Sequence, residues 1–470
     1  MTTFEQKLDN SCLTRSMWLL WLLSAGLIAL DGFDFFVIGI AIPFLKQDFN
    51  LTPTEIGAVA VAAIMGSLIG SLTLGPITDK IGRQKMLIID IAIFVVASAG
   101  TALSWNALSL ILFRFLIGVG IGADYPISVS YITENVPSRL RGRMVIGAFT
   151  FQAIGSLLGA ITGIVVISVF QHLYPDSIAP AIQYAWRWIL GFGLILALVI
   201  AILRFQFLLE SPRYYIAKGD YKAASEAASQ LLNEDITITP ETDPQERVSS
   251  LSYGALFSAK YRRNTILASV PWFLQDIATY GIGIFTPAII AILAFANEGN
   301  FMVREIESAT GSAIVDLFLI IGFILAVILV DRLGRIRLQI TGFIGMAVGL
   351  SVLALAGDPA KIQNPNLILV FSGFLIFNLL MNLGPNSTTF LLSGEVFPTS
   401  IRASGAGLAA AIAKAGAVLG TFTLPLLKKT VGIPHLLILL ALCCLLGALI
   451  TYIFRIETKG IPLETVNTEQ

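Results

Sequence analysis

Twelve apolar stretches, each long enough to cross a bilayer as a helix, decide what this chain can be. They run over roughly 17–45, 54–78, 86–105, 107–133, 143–170, 186–209, 264–296, 309–331, 337–356, 366–393, 402–427 and 434–455. Hydrophobic residues make up 56% of the chain, charged residues only 13%, and mean hydropathy is +0.82. No soluble globular domain has this composition. The expected fold class is an all-α integral membrane protein with twelve transmembrane helices in two six-helix bundles.

One long polar interval divides the spans six and six. It sets the expected domains: an N-terminal bundle over 1–209, a central loop over 210–263 with a short helical pattern at Tyr221 to Leu232, and a C-terminal bundle over 264–470. Basic residues crowd the connections on the side of both termini and the central loop, among them Lys80, Lys85, Arg139, Arg143, Arg262, Arg263, Arg332 and Arg337. By the positive-inside rule that side is cytoplasmic. The first apolar run is too long for a signal-peptide core, so the chain reads as multi-pass in a plasma or bacterial inner membrane. Thirty basic residues against thirty acidic ones give no footprint for nucleic acid. Three cysteines cannot make a disulfide framework. Neither histidine belongs to a metal cluster, and no cofactor is expected. No nucleophile–base pair or phosphate loop suggests an enzyme.

The halves repeat each other. Asp79-Lys-Ile-Gly-Arg83 after span 2 returns as Asp331-Arg-Leu-Gly-Arg335 after span 8. Glu134-x-x-Pro-x-x-x-Arg141 after span 4 returns as Glu395-x-x-Pro-x-x-x-Arg402 after span 10. A duplicated six-span unit predicts a cavity between two bundles, with a solute site near the midplane.

Ionisable and polar residues inside the spans are the candidates for function, because a charge at the bilayer centre costs roughly 3 kcal/mol or more. In span 7, Trp272, Asp276 and Tyr280 recur at i, i+4, i+8 and share one helix face. They read either as an indole, a carboxylate and a phenol facing a solute cavity, or as a helix-end carboxylate reaching for water. Span 1 carries Asp31 and Asp34 on neighbouring turns. Two carboxylates so close in low dielectric disfavour ionising together, which is the physics of a proton site; the bland alternative pairs one of them with a buried cation. Span 4 carries Asp124, a second proton candidate, with Tyr125 beside it and Arg114 some turns earlier as a structural or relay partner. Asp90 in span 3 reads as support for the Asp79/Arg83 loop. Gln152 in span 5 is an amide donor or interhelical glue. Asn386 in span 10 follows a Gly384-Pro385 break, of the kind tolerated where backbone lines a cavity. Lys414 in span 11 either bridges helices or serves as counter-charge to an anion or to Asp276.

These motifs resemble the major facilitator superfamily over the whole chain. Asp79-Lys-x-Gly-Arg, Arg114-Phe-x-x-Gly-x-Gly, Glu210-Ser-Pro-Arg213 and Ile456-Glu-Thr-Lys-Gly460 look like its sugar-porter branch. Within that branch the Gln-rich span 7 of sugar porters is missing. Instead Gly122-Ala-Asp124-Tyr125-Pro, Trp272-Phe-x-x-Asp276-x-x-x-Tyr280 and Gly384-Pro-Asn386-Ser-Thr-Thr-Phe390 resemble phosphate:proton symporters. Gln275, where that family has an apolar residue, and Ala123, where it has glycine, depart from the pattern.

The resemblance implies a proton-coupled transporter that alternates access by rocking two bundles. It implies inorganic phosphate as the substrate, bound by Tyr125, Gln152, Trp272, Asp276, Tyr280, Asn386 and Lys414. Asp31, Asp34 and Asp124 would carry protons. Asp79, Arg83, Glu134, Arg141, Asp331, Arg335, Glu395 and Arg402 would form a conformational latch. The expected partners are the anion, protons and the lipid bilayer, with the monomer as working unit. A small aromatic or carboxylic acid, a sugar and a non-transporting nutrient sensor stand as alternatives.

Overall fold

The computed structural model describes residues 4–81, 83–240, 253–295, 298–357, 366–397 and 402–459. A short helix α1 (Phe4–Asn10) precedes the first six long ones: α2 (Arg15–Asp48), α3 (Pro53–Ile81), α4 (Arg83–Ala102), α5 (Ala107–Asn135), α6 (Arg141–Leu173) and α7 (Ala179–Phe207). The central interval forms α8 (Pro212–Lys218) and α9 (Tyr221–Leu232). The second half follows with α10 (Arg262–Gly283), α11 (Thr286–Leu293), α12 (Phe301–Leu333), α13 (Arg335–Leu355), α14 (Leu367–Leu383), α15 (Pro385–Glu395), α16 (Arg402–Thr430) and α17 (Ile433–Ile453). Among the described residues, ten helices or continuous helix pairs are long and apolar enough to cross a membrane, and the bent pair α10–α11 makes eleven. The remaining span is α5, of which Ala107–Gly122 is an apolar helix among the described residues.

Helices α2 to α7 pack on one another, chiefly α2 on α6 and α7, and α3 on α5. Helices α10 to α17 do the same, chiefly α10 on α16 and α13 on α14 and α17. The two sets meet along α3–α16 and α6–α12. An even number of crossings puts both chain ends on one face, the terminal face. There Phe4, Leu8, Met17 and Leu20 pack with Leu231 and Leu232 of α9 in an apolar cap. The Thr14 hydroxyl ties α2 to it by donating to the Leu231 carbonyl at 2.6 Å.

Two spans are broken where the sequence weakens the helix ladder. Gly384 and Pro385 split span 10 into α14 and α15, as the dipeptide suggests. Span 7 reads as one run to about Ala296. In the structure α10 stops at Gly283 and α11 leaves it at 52°. Pro287, in the first turn of α11, cannot donate into a continuing ladder. Span 8 begins earlier than its apolar stretch, because the Asn300 side chain caps α12 by accepting from the amides of Met302 and Val303. The polar turn with Arg304, Glu305 and Glu307 is therefore the start of a membrane helix rather than a loop.

Candidate functional site

Midway along the long helices, at the seam of the two bundles, lies a small cavity of about 20 Å³, roughly room for one water molecule. Gln152 and Ser156 of α6 line one wall, Thr279 and Tyr280 of α10 another, and Asn382 and Asn386 a third. The glycine at position 32 makes this wall possible. A Cβ there would collide with the Gln152 backbone carbonyl, so only glycine lets α2 lie against α6. Asp31 and Asp34 are thereby held beside the helix that carries Gln152 and Ser156.

Of the residues expected to bind solute, Gln152, Tyr280 and Asn386 border this cavity. The side chain of Tyr125 lies outside the described residues. Trp272, Asp276 and Lys414 stand behind the lining. Lys414 donates to the Tyr280 hydroxyl at 2.7 Å and lies 3.7 Å from the Asp276 carboxylate. All three are buried. Tyr280 stacks on Phe36 and meets Phe35 edge-on, so its ring joins α10 to α2 across the seam. Trp272 packs on Phe390 at 4.5 Å, and Phe390 stacks on Phe149 of α6 at 3.8 Å. This aromatic bridge closes the cavity toward the terminal face. On the opposite face Phe44 meets Phe301 across the seam.

Gln275, the departure from the family pattern, is buried one residue before Asp276. Its amide donates to the Thr279 hydroxyl at 2.8 Å and to the Asn386 carbonyl at 3.3 Å. Asn386 in turn donates to Asn382 at 2.6 Å. The amides on this wall thus form one chain, and Gln275 fixes which way Asn386 points.

The acids of the first bundle are buried and mostly paired. Arg114 lies 3.3 Å from the Asp34 carboxylate and also donates to the Asp34 backbone carbonyl. Asp124 accepts from Ser128 at 2.9 Å and lies 3.5 Å from Arg204. Arg204 was not among the sequence candidates. It sits one turn from the end of α7 and reads there as a snorkelling side chain, yet it is 1% exposed and also donates to the carbonyls of Leu87 and Leu23. Asp31 is fully buried, with Asp90, Asp124 and Lys414 as its electrostatic neighbours. The loop side chains of Asp79 and Arg83, which Asp90 is expected to support, lie outside the described residues. Asp90 is buried against α5, where a Cβ on Gly120 would come within 2.8 Å of its Oδ1.

At the terminal face Asp331 of α12 pairs with Arg143 of α6 at 2.9 Å, across the seam. Arg335 stays within its own bundle, on Glu395 at 3.0 Å and Asp331 at 3.3 Å. Gly334, at φ +89, turns the chain from α12 into α13. Here the internal repeat has a physical meaning. Glu457 accepts from the amides of Arg335 and Ile336 at the start of α13, and Glu210 accepts from the amide of Gln84 at the start of α4. Each signature glutamate after a six-span unit caps the third span of that unit, where the helix dipole favours an anion. The side chains of Asp79, Arg83, Arg141 and Arg402 lie outside the described residues.

A second cavity, also of about 20 Å³, adjoins the first and shares Phe36 and Ser156 with it. Its ionisable lining group is Asp316 of α12, which accepts from the Ser156 hydroxyl at 3.0 Å. Asp316 too is absent from the sequence candidates, although a lone acid in the middle of an apolar run is the same signal that singles out Asp276. Among the described residues no cluster of His, Cys, Asp and Glu could hold a metal.

The family model described as "Sugar (and other) transporter" matches residues 21–469. The "Putative metabolite transport protein YaaU" of Escherichia coli (strain K12) is 31% identical over 445 residues, covering 95% of this chain and 93% of that protein. The "Probable inorganic phosphate transporter 1-6" of Arabidopsis thaliana is 30% identical over 482 residues, covering 93% and 91%. The "Inorganic phosphate transporter 1-2" of Oryza sativa subsp. japonica is 30% identical over 489 residues, with the same coverage. Among solved structures, the major facilitator superfamily proton:xylose symporter XylE superposes with a TM-score of 0.79 at 20% identity, over 97% of this chain and all of that one.

Proposed function

The chain belongs to the Sugar (and other) transporter family of the major facilitator superfamily, and on that premise we propose that it imports inorganic phosphate together with protons. The observation that carries this reading is the buried cluster of Asp276, Lys414 and Tyr280 behind a cavity walled by amides and hydroxyls. While Asp276 is ionised, it neutralises Lys414. A proton on Asp276 releases the ammonium charge and the Tyr280 hydroxyl toward an anion in the cavity. Proton and anion therefore favour each other's binding, which is the requirement for symport. Gln152, Asn386 and Tyr125 are assigned to the anion's oxygens, since donors in a dry site recognise an oxyanion. Asp31, Asp34 and Asp124 carry protons in this scheme. Proton co-transport also offsets the membrane potential, about 2.3 kcal/mol per 100 mV for each imported negative charge.

The termini, by the distribution of basic residues, face the cytoplasm, and the monomer is the working unit. Two six-helix bundles, divided at the central loop, rock about the cavity. The Arg143–Asp331 pair and the Phe149–Phe390 stack break when it opens inward. A small aromatic or carboxylic acid is the second reading, favoured by Phe36 and Phe323 in the cavity wall and by the metabolite-transport relative. The test is uptake of labelled phosphate into proteoliposomes under an inward proton gradient, with organic acids and xylose as competitors. Gradient-driven uptake that only phosphate and its analogues inhibit supports the reading. Absence of phosphate uptake, with uptake of an organic acid in the same vesicles, overturns the substrate and keeps the mechanism.

A further inference from the structure

We propose that Asp316 is a further proton-coupling residue, acting as a tie between the two bundles that holds only while its carboxyl carries a proton. The inference rests on alternating access but on no particular substrate. Asp316 lies near the midpoint of α12, 9% exposed, and its hydrogen bond to Ser156 crosses from one bundle to the other. It is the acid of a cavity whose other lining is uncharged: Phe36 and Ile40 from α2, Ser156 from α6, Gly283, Thr286 and Pro287 from the α10–α11 break. Helix α14, which also packs on α12, has no ionisable side chain along its length.

The ionisable groups of the neighbouring helices are engaged elsewhere. Asp34 faces Arg114, Asp276 and Tyr280 face Lys414, and Asp31 is buried among Asp90, Asp124 and Lys414. On α12 itself, Glu305 pairs with Arg304. Asp316 thus differs from Asp34, Asp124 and Asp276, each of which has a cation within ion-pair range. An ionised carboxylate held by one hydroxyl in a membrane interior is strongly disfavoured and draws in water. A neutral carboxylic acid keeps the hydrogen bond to Ser156, as donor or acceptor, without that cost.

The consequence is directional. With the cavity open to the outer solution, Asp316 is hydrated and ionised. One proton from that solution adds to one carboxylate oxygen, and the neutral acid then closes against Ser156. The same proton leaves when the cavity opens to the opposite side. Closure of the outer half of the seam is thereby conditional on a proton, separately from the Asp276–Lys414 pair.

The experiment is electron–electron distance measurement between spin labels at Asp176→Cys and Gly299→Cys, in nanodiscs, in a background without Cys12, Cys443 and Cys444. Both sites lie at the face opposite the termini, one in each bundle. Asp176 is exposed, and a Cβ at Gly299 meets nothing within 4 Å. In the parent protein, raising the pH from roughly 5 to roughly 8, across the range in which a perturbed carboxyl titrates, should increase the long-distance population. Asp316→Asn, permanently neutral, should favour the short distance across this range and lose at least half of that response. Ser156→Ala keeps the carboxyl, is the smaller change, and should show more of the long distance at acid pH than the parent. A pH response in Asp316→Asn more than half the size of the parent's overturns the proposal, as does an unchanged distribution in Ser156→Ala. Neither readout requires transport, so a wrong substrate assignment leaves the result interpretable.

Discussion

At the scale of single residues, the charge pairs of the first bundle set the strongest constraint. Arg204 and Asp124 are both buried, and the arginine is also committed to two backbone carbonyls. Removing one partner of such a pair strands the other, at a cost of about 3–5 kcal/mol. Arg204→Ala should therefore unfold at a markedly lower temperature in detergent, and Asp124→Asn in the same chain should recover part of the loss. Absence of recovery would mean that Arg204 serves the carbonyls rather than the acid. The two residues that sequence reasoning passed over, Arg204 and Asp316, were hidden for different reasons. Arg204 stands close enough to a helix end to be read as snorkelling, and only the inward register of α7 buries it. Asp316 was visible by the rule that any acid inside an apolar span is a candidate, but no flanking motif drew attention to it. Asp276, by contrast, sits in a motif, and its spacing to Tyr280 put both on one helix face. What that spacing did not reveal is that Trp272 and Asp276 stand behind the cavity lining while Tyr280 borders it.

At the scale of elements, the twelve spans were legible because apolar run length maps directly onto membrane thickness. The α9 segment was legible too, since its amphipathic pattern gave its ends, Tyr221 and Leu232. The break between α10 and α11 was not, because an unbroken apolar run carries no periodic signal of a bend. The close approach of α2 and α6 at Gly32 is likewise a property of two helices, invisible in either alone. Gly32→Ala places a methyl group against the Gln152 carbonyl, and overpacking of this kind costs about 1–3 kcal/mol. The variant should lose thermal stability by that order, and its transport should fall through a displaced Gln152 and Ser156. Wild-type stability and uptake in Gly32→Ala would show that the helices separate freely there.

At the scale of the whole molecule, the halves are related by repeat, capped alike by Glu210 and Glu457, and joined along two helix pairs around two adjoining cavities. The surface pair Arg143–Asp331 is half exposed, so it adds little to stability. A contact of that kind suits a device that must break in every cycle. In the proposed mechanism the heavier coupling lies at the midplane, where an anion site and a proton site share Lys414. The claim that Asp276 couples the two is tested most directly by following proton entry and phosphate uptake together in proteoliposomes, for the parent and for Asp276→Asn. The neutral asparagine mimics the protonated state. This variant should still exchange labelled for unlabelled phosphate across the membrane, yet neither accumulate phosphate on an inward proton gradient nor admit protons when phosphate is added. An Asp276→Asn protein that accumulates phosphate with the parent's proton influx would contradict that claim.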